Sequence, residues 1–138
     1  MSFFCLLIFA GIDANMGGTE ILFPLQKIFS IPSIPEYLRQ VFVLTDGEVG
    51  NTDEVHGLIK SQSDATRVFA LGIGNGASHH LVEGIAKSGG GTCEFVTNNE
   101  PLEAKVLKQL KNAIQPSLTS KLFRSFVLLC NQSYPIKH

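Results

Sequence analysis

The sequence predicts an α/β fold, with a parallel sheet that carries helices on both of its faces. Apolar residues fall alternately at helical spacing and in continuous runs, in the order helix, then strand and helix three times over. About 25 residues separate one predicted strand from the next, which is the rhythm of βαβ units in a parallel sheet. A chain of 138 residues suits one domain with a buried core.

The first predicted helix spans residues 19–30. Its apolar stripe recurs at helical spacing and consists of Ile21, Leu22, Leu25, Ile28 and Phe29. The first strand of the repeating units is Val41–Thr45, a continuous apolar run that ends at Asp46 and a glycine. Such a run is typical of a parallel strand that is covered on both faces.

Capping residues mark the beginnings of the next two helices. Asn51 with Glu54 resembles a capping box, in which each side chain binds an N–H group that the helix leaves free. Arg67–Ile73 is the following strand. Ser78 is predicted to cap the third helix, and Gly89-Gly90-Gly91 to end it.

The last predicted strand and helix follow directly. Thr92–Thr97 is the strand, and Pro101 opens the helix. The residues expected to face inward from this helix are Leu102, Val106, Leu107, Leu110, Ala113 and Ile114.

Two apolar segments lie outside this pattern. Phe3–Ala10 is too short to span a membrane, which takes about 20 apolar residues. It is interpreted as a buried strand or a stray chain end in preference to a signal peptide, because it has no positively charged start and no clear cleavage site. As a strand it would pair along the open side of Val41–Thr45. Phe123–Cys130 is a second apolar run, and the periodicity assigns it no place in the sheet.

Charge and cysteine content restrict the classes of partner and the compartment. A formal net charge of -1 gives no electrostatic reason to expect nucleic acid or an anionic membrane as partner. Three cysteines, Cys5, Cys93 and Cys130, fit neither a disulfide framework nor a zinc spacing. Reduced cysteines favour the cytoplasm over secretion.

Two Gly-rich bends carry side chains suited to a hard cation. Thr19 opens the first predicted helix, and Asp46 ends the strand Val41–Thr45. A hydroxyl and a carboxylate are ligands that Mg²⁺ accepts. Ligands of parallel sheets bind at the carboxyl ends of the strands, where Asp46 lies. A third group of ligands would complete the site, and the sequence does not supply it.

Three motifs in this order give the chain a family resemblance. Met-Gly-Gly-Thr-Glu-Ile-Leu at 16–22, Phe-Val-Leu-Thr-Asp-Gly-Glu-Val at 42–49 and Val-Phe-Ala-Leu-Gly-Ile-Gly at 68–74 resemble the von Willebrand factor type A (VWA) domain. The nearest relatives are expected among proteins that pair this domain with a vault/inter-α-trypsin (VIT) domain. The resemblance divides the chain into an apolar N-terminus, a partial family domain and a tail outside the family, at 1–13, 14–118 and 119–138.

The resemblance implies a Rossmann-like three-layer fold and a non-enzymatic protein-binding function. In the family, a metal ion-dependent adhesion site is built from an Asp-x-Ser-x-Ser loop, a Thr and an Asp. By resemblance, Thr19 would bind the ion directly or through water, and Asp46 mainly through water. A carboxylate of the protein partner would fill the open coordination position.

The first of those three loops has no counterpart in this sequence. No Asp-x-Ser-x-Ser precedes Thr19. We therefore expect an N-terminally truncated VWA domain whose Mg²⁺ affinity is weak or lost. A truncated isoform without a function of its own is one alternative.

A nucleotide-binding enzyme fragment is the alternative from another functional class. Gly72–Ala77 satisfies the loose form G-x-G-x-x-G/A, after a strand and before a helix. The fingerprint also requires an acidic residue at the end of the next strand, whereas Glu94 falls inside that strand. A flexible strand-to-helix turn is therefore the preferred interpretation of these glycines.

Overall fold

The structure is a computed structural model that describes residues 4–9 (backbone only), 20–35, 37–97 and 99–115. Four strands and four helices alternate along these residues, which confirms the predicted α/β class. Their bounds are β1 Phe4–Phe9, α1 Leu22–Phe29, β2 Arg39–Thr45, α2 Thr52–Ser61, β3 Thr66–Ile73, α3 His79–Ser88, β4 Gly90–Val96 and α4 Leu102–Ile114.

The four strands form one parallel sheet in the order β1-β2-β3-β4. β1 pairs with β2 from Phe4 opposite Arg39 to Phe9 opposite Leu44. The apolar N-terminal segment is thus a strand at the side of β2 where the sequence predicts one. The predicted domain boundaries after residues 13 and 118 lie outside the described residues.

Three helices cover one face of the sheet. Right-handed crossovers in a sheet of sequential order place every connecting helix on the same face, and α1, α2 and α3 lie together there. Val41, Val43, Val68 and Ala70 point from β2 and β3 into this layer. The helices bury against them Leu25, Ile28, Val55, Ile59, Leu81, Val82, Ile85 and Ala86.

The opposite face carries α4. Phe42 and Phe69 project there from β2 and β3, and their rings stack with centroids 4.9 Å apart. Ala113 and Leu110 of α4 pack against this pair. The sheet therefore has helices on both faces, as predicted, but three on one side and one on the other among the described residues.

The two predicted helix caps have different outcomes. Ser78 has the extended backbone of an N-cap, and its Oγ accepts a hydrogen bond from Leu81 N at 3.3 Å. Asn51 precedes α2, but its side chain makes no capping bond. Its φ of -115° and ψ of 40° lie outside the extended region that a side-chain cap requires. The predicted capping box is therefore wrong.

The glycine run begins β4 as well as ending α3. Gly89 is the C-cap residue of α3, whereas Gly90 and Gly91 already belong to β4. A Cβ on Gly89 would lie 2.5 Å from Val68 Cβ, and one on Gly91 would meet the Val68 carbonyl group. The strand starts two residues before its predicted position because β3 approaches this backbone too closely for a side chain.

α4 is rotated from the predicted orientation. The sequence predicts that Leu102, Leu107 and Ile114 face inward, but their side chains are 39%, 57% and 66% exposed. Gln109 is buried in their place and binds Thr92 and the carbonyl of Ala70. An apolar count cannot anticipate a buried glutamine whose hydrogen-bond partners lie on other strands.

No helix within these described ranges has both the length and the apolar character needed to cross a bilayer.

Candidate functional site

Asp46 lies at the carboxyl edge of the sheet, immediately after β2. Thr45, the last residue of the strand, is buried opposite Gly72 of β3. Its Oγ1 accepts a hydrogen bond from Gly47 N at 3.4 Å and so holds the turn that follows the strand. The side chain of Asp46 is exposed at this turn. The structure thus places Asp46 at the edge where the sequence predicts it.

The glycine-rich loop after β3 passes beside this turn. A Cβ on Gly76 would lie 3.1 Å from the carbonyl oxygen of Asp46. Gly74 has a φ of 76°, a conformation that side-chain-bearing residues rarely adopt. The loop is therefore shaped by its approach to the backbone of Asp46.

The carboxylate of Asp46 has no ion pair or hydrogen bond with any residue that the structure describes. Glu48 and Asp53 are exposed nearby in the sequence. Within the described part of the chain, no three His, Cys, Asp or Glu residues are grouped so that they could hold a metal ion. The described carboxylates alone therefore form no metal centre.

Thr19, the other predicted ligand, lies outside the described residues. The description resumes at Glu20, whose carboxylate accepts hydrogen bonds from Leu22 N at 3.0 Å and Phe23 N at 3.3 Å. These two bonds satisfy N–H groups at the beginning of α1, where a negative charge is also favoured by the helix dipole. In the described structure, the Glu20 carboxylate is therefore occupied by these two hydrogen bonds at the beginning of α1.

The glycines of the predicted nucleotide loop have packing roles. A Cβ on Gly72 would lie 2.7 Å from the Phe95 ring and 3.1 Å from Ala77 Cβ. Gly74 N donates to the Val96 carbonyl at 2.8 Å, so this donor is used within the protein. Close packing accounts for the glycine spacing, and the nucleotide-binding alternative is not favoured.

Two ionisable side chains of β4 have shifted pKa values: Glu94, next to α4, and Cys93, on the face that carries α3. Lys108 Nζ lies 2.5 Å from Glu94 Oε1 and lowers the pKa of that carboxyl, with a further contribution from Lys105. Burial, followed by the charges of Glu83 and Glu94, raises the pKa of the Cys93 thiol. These interactions tie α4 to β4 and keep Cys93 protonated, which are structural roles.

The face of the sheet that carries α4 has an apolar cavity that the sequence did not predict. It has a volume of about 280 Å³ and lies between α4 and strands β2 and β3. Its lining includes Phe42, Leu44, Leu71, Val106 and Leu110. The alternate apolar positions of β2 and β3 are the signal in the sequence that a second layer must cover this face.

A sequence model of the von Willebrand factor type A domain matches residues 6–95. A human protein, von Willebrand factor A domain-containing protein 5A, is 46% identical over 75% of this chain and 13% of its own length. A Dictyostelium discoideum protein, also described as von Willebrand factor A domain-containing, is 42% identical over 79% of this chain and 12% of its own.

A solved structure of proximal thread matrix protein 1 from the mussel byssus is 24% identical over 72% of this chain and 27% of that one, with a TM-score of 0.49. The chain thus spans about an eighth of the length of the curated relatives it matches. Since a family model matches residues 6–95 and the two relatives are 46% and 42% identical over 75% and 79% of this chain, the chain belongs to the von Willebrand factor type A family.

Proposed function

We propose that this chain is a protein-binding VWA module whose recognition surface is the carboxyl edge of the sheet around Asp46. The proposal is supported by one observation above all: Asp46 is exposed at the end of β2 with its carboxylate uncommitted to any described residue. The turn is held in place by buried Thr45 and by the glycine loop beside it. A charged group on a rigid edge is suited to recognition.

A divalent cation assists this recognition. Asp46 and Thr19 supply two oxygen ligands for Mg²⁺, and water fills the coordination positions that these two residues leave open. An acidic side chain of the partner protein displaces one of those waters. Because Mg²⁺ gives up its waters reluctantly, two ligands hold it weakly, and saturation falls above the micromolar range. The nearest relatives that share this architecture are proposed to be VIT-containing proteins.

A magnesium titration of the full chain tests the proposal. Two-dimensional NMR of ¹⁵N-labelled protein would follow the amides of Asp46 and Gly47 as MgCl₂ is added. We expect saturable shifts at these amides, lost in Asp46→Ala and much reduced in Thr19→Ala. Glu48→Ala is the matched control, because it removes a nearby exposed carboxylate outside the proposed ligand set.

The titration separates the candidate functions. Shifts that persist in Asp46→Ala, or none at all up to tens of millimolar Mg²⁺, would exclude a site at Asp46. Saturable shifts at Gly74 and Gly76 on addition of NAD would instead support the nucleotide-binding alternative. A short peptide that ends in Glu, added with and without Mg²⁺, tests whether a carboxylate completes the coordination.

A further inference from the structure

The turn between β3 and α3 carries an asparagine that is followed directly by a glycine. Asn75 and Gly76 are exposed and belong to neither of the flanking elements. The residues around them are held in place, because Gly74 N donates to the carbonyl of Val96 at 2.8 Å and Ala77 is buried. The two residues therefore form the exposed tip of a loop that is anchored on both sides.

An asparagine side chain in this setting can react with the main chain of the next residue. The nitrogen of Gly76 forms a bond to Asn75 Cγ, and the bond between Cγ and Nδ2 breaks. Nδ2 leaves as ammonia, with the proton that the Gly76 N–H gives up, and the product is a succinimide ring. Water then opens the ring at either carbonyl carbon, which leaves an aspartate or an isoaspartate at position 75.

The main-chain nitrogen of Gly76 is accessible for this attack. It donates no hydrogen bond to any residue that the structure describes. In the similar turn after β2, by contrast, Gly47 N donates to Thr45 Oγ1 at 3.4 Å. Gly76 also has no Cβ to obstruct the approaching side chain, and its backbone can adopt angles that other residues rarely reach.

The carboxamide of Asn75 is equally accessible. Within the described ranges its side chain makes no hydrogen bond, whereas Asn112 lies inside α4 and donates to Thr92 Oγ1 at 3.1 Å. Asn51 is followed by Thr52, whose branched side chain crowds the attacking nitrogen. Asn75 is the one asparagine of the sequence that a glycine follows.

The reaction would change the edge of the sheet that carries Asp46. A Cβ on Gly76 would lie 3.1 Å from the carbonyl oxygen of Asp46, so the two turns are in contact. Consecutive Cα atoms are about 3.8 Å apart, which places Asn75 one residue away from that contact. An aspartate there adds a negative charge, and an isoaspartate also lengthens the main chain by one methylene group.

We propose that Asn75 is a deamidation site, at which the Gly76 nitrogen converts a neutral carboxamide into a carboxylate beside the Asp46 turn. The reaction is spontaneous, so the negative charge of this edge increases with the age of the molecule. This inference goes beyond the proposed function and holds whether or not Asp46 binds a cation.

Incubation of the full chain at neutral pH and physiological temperature, followed by mass spectrometry of its peptides, tests the proposal. We expect the peptide that contains Asn75 to change from amide to acid at least about tenfold faster than those that contain Asn51 and Asn112. Electron-transfer fragmentation and enzymatic methylation of isoaspartyl groups identify the isoaspartate. Ammonia should be released in equal amount.

Asn75→Gln is the decisive variant, because it keeps an exposed carboxamide at the same position. Its longer side chain must close a six-membered ring, with the reacting atoms less well placed. It should abolish the conversion and leave thermal unfolding unchanged. Asn99→Gln makes the same chemical change at another exposed loop position and should leave the conversion at position 75 unaffected. Ammonia release from Asn75→Gln at the wild-type rate would contradict the assignment.

A comparison with unfolded protein separates the folded turn from the dipeptide sequence. In guanidinium chloride the Asn-Gly pair is unrestrained, so position 75 should be modified there as well. Modification in denaturant but not in the folded chain would overturn the proposal, because the folded turn would then prevent the attack. Isoaspartate confined to position 46 would overturn it too, since the reactive turn would be the one after β2.

Nuclear magnetic resonance of the aged protein tests where the new charge lies. The amide signals of Asp46 and Gly47 should shift as position 75 is converted, and those of α4 should stay in place. The Asn75→Asp variant should reproduce the part of these shifts that comes from charge alone. Unchanged signals at Asp46 and Gly47 would show that the modified loop does not act on this edge.

Discussion

Gln40 binds the carbonyl oxygen of Ala113, 73 positions further along the chain, with its Nε2 donating at 2.6 Å. Both residues are buried. Ala113 lies in the last turn of α4, where carbonyl groups have no partner within the helix. The side chain of a strand residue therefore completes the end of α4, which lies on the face of the sheet opposite α1, α2 and α3.

Replacing Gln40 by Leu should lower the free energy of unfolding by about 1–3 kcal/mol, because a buried carbonyl loses its donor. Chemical denaturation measures this change. Gln26→Leu on the exposed side of α1 is the control and should stay within about 0.5 kcal/mol of wild type. Equal stabilities for the two variants would show that the Gln40 bond contributes nothing.

Gly91→Ala should destabilise the protein by about 1–3 kcal/mol, since the added methyl group meets the rigid carbonyl of Val68. Gly57→Ala makes the same chemical change in the middle of α2, where nothing lies within 4 Å of the new Cβ. It should raise stability by up to about 1 kcal/mol through helix propensity. Thermal unfolding of the pair would contradict this account if both changes had the same sign.

The free energy of unfolding should decrease in acid, because the Glu94 carboxylate becomes protonated. Its pKa is lowered in the folded state, first by Lys108, so its contribution is complete above the ordinary value of 4.5. The contribution is lost as the pH falls through the lower, folded value. Glu94→Gln should therefore cost stability at pH 7, and the cost should shrink below about pH 4.5.

Melting temperatures of wild type and Glu94→Gln between pH 3 and pH 7 measure this difference. Glu48→Gln, on an exposed loop, supplies the control. A constant difference across that pH range would mean that Glu94 acts through packing and not through its charge.

Cys93 should react slowly with thiol reagents. Burial and the charges of Glu83 and Glu94 raise its pKa, so little thiolate is present at neutral pH. Alkylation by iodoacetamide in a Cys5→Ser, Cys130→Ser background isolates this thiol. Its rate should rise only above the pH at which a free thiol ionises.

Glu83→Gln should move that rate profile toward lower pH, because it removes one of the charges that oppose ionisation. Glu54→Gln is the control, because it makes the same change of charge at an exposed carboxylate of α2 that is not among the charges acting on Cys93. Labelling of wild-type Cys93 as fast as glutathione at pH 7 would refute the assignment of an inert thiol.

The sequence predicts well what depends on local pattern. The apolar runs of β2 and β3 and the stripe of α1 identify these elements, because each pattern lies within one segment. Ser78 is recognised as a cap for the same reason, since its acceptor and the Leu81 N–H are three residues apart. The pairing of β1 with β2 follows from an apolar segment and an otherwise open strand.

Structural features that depend on contacts between residues far apart in the sequence cannot be predicted from a local pattern. The rotation of α4 is set by Gln109, whose partners Thr92 and Ala70 lie on β4 and β3. The early start of β4 is set by the nearness of Val68. For the candidate site, Asp46 is placed as predicted, whereas the Thr19 ligand, the truncation and the VIT relationship stay predictions.

The sequential strand order has a consequence for how the sheet assembles. Among the described residues each pairing joins strands that are neighbours along the chain, so none of these four strands is inserted between two that are already paired. Short chain separations keep the entropy of loop closure low at every step. The sheet can therefore grow from one end during synthesis, with β2 as a template as soon as α1 has formed. The docking of α4 on Gln40 then closes a chain separation of 73 residues, which is far longer than that of any strand pairing described.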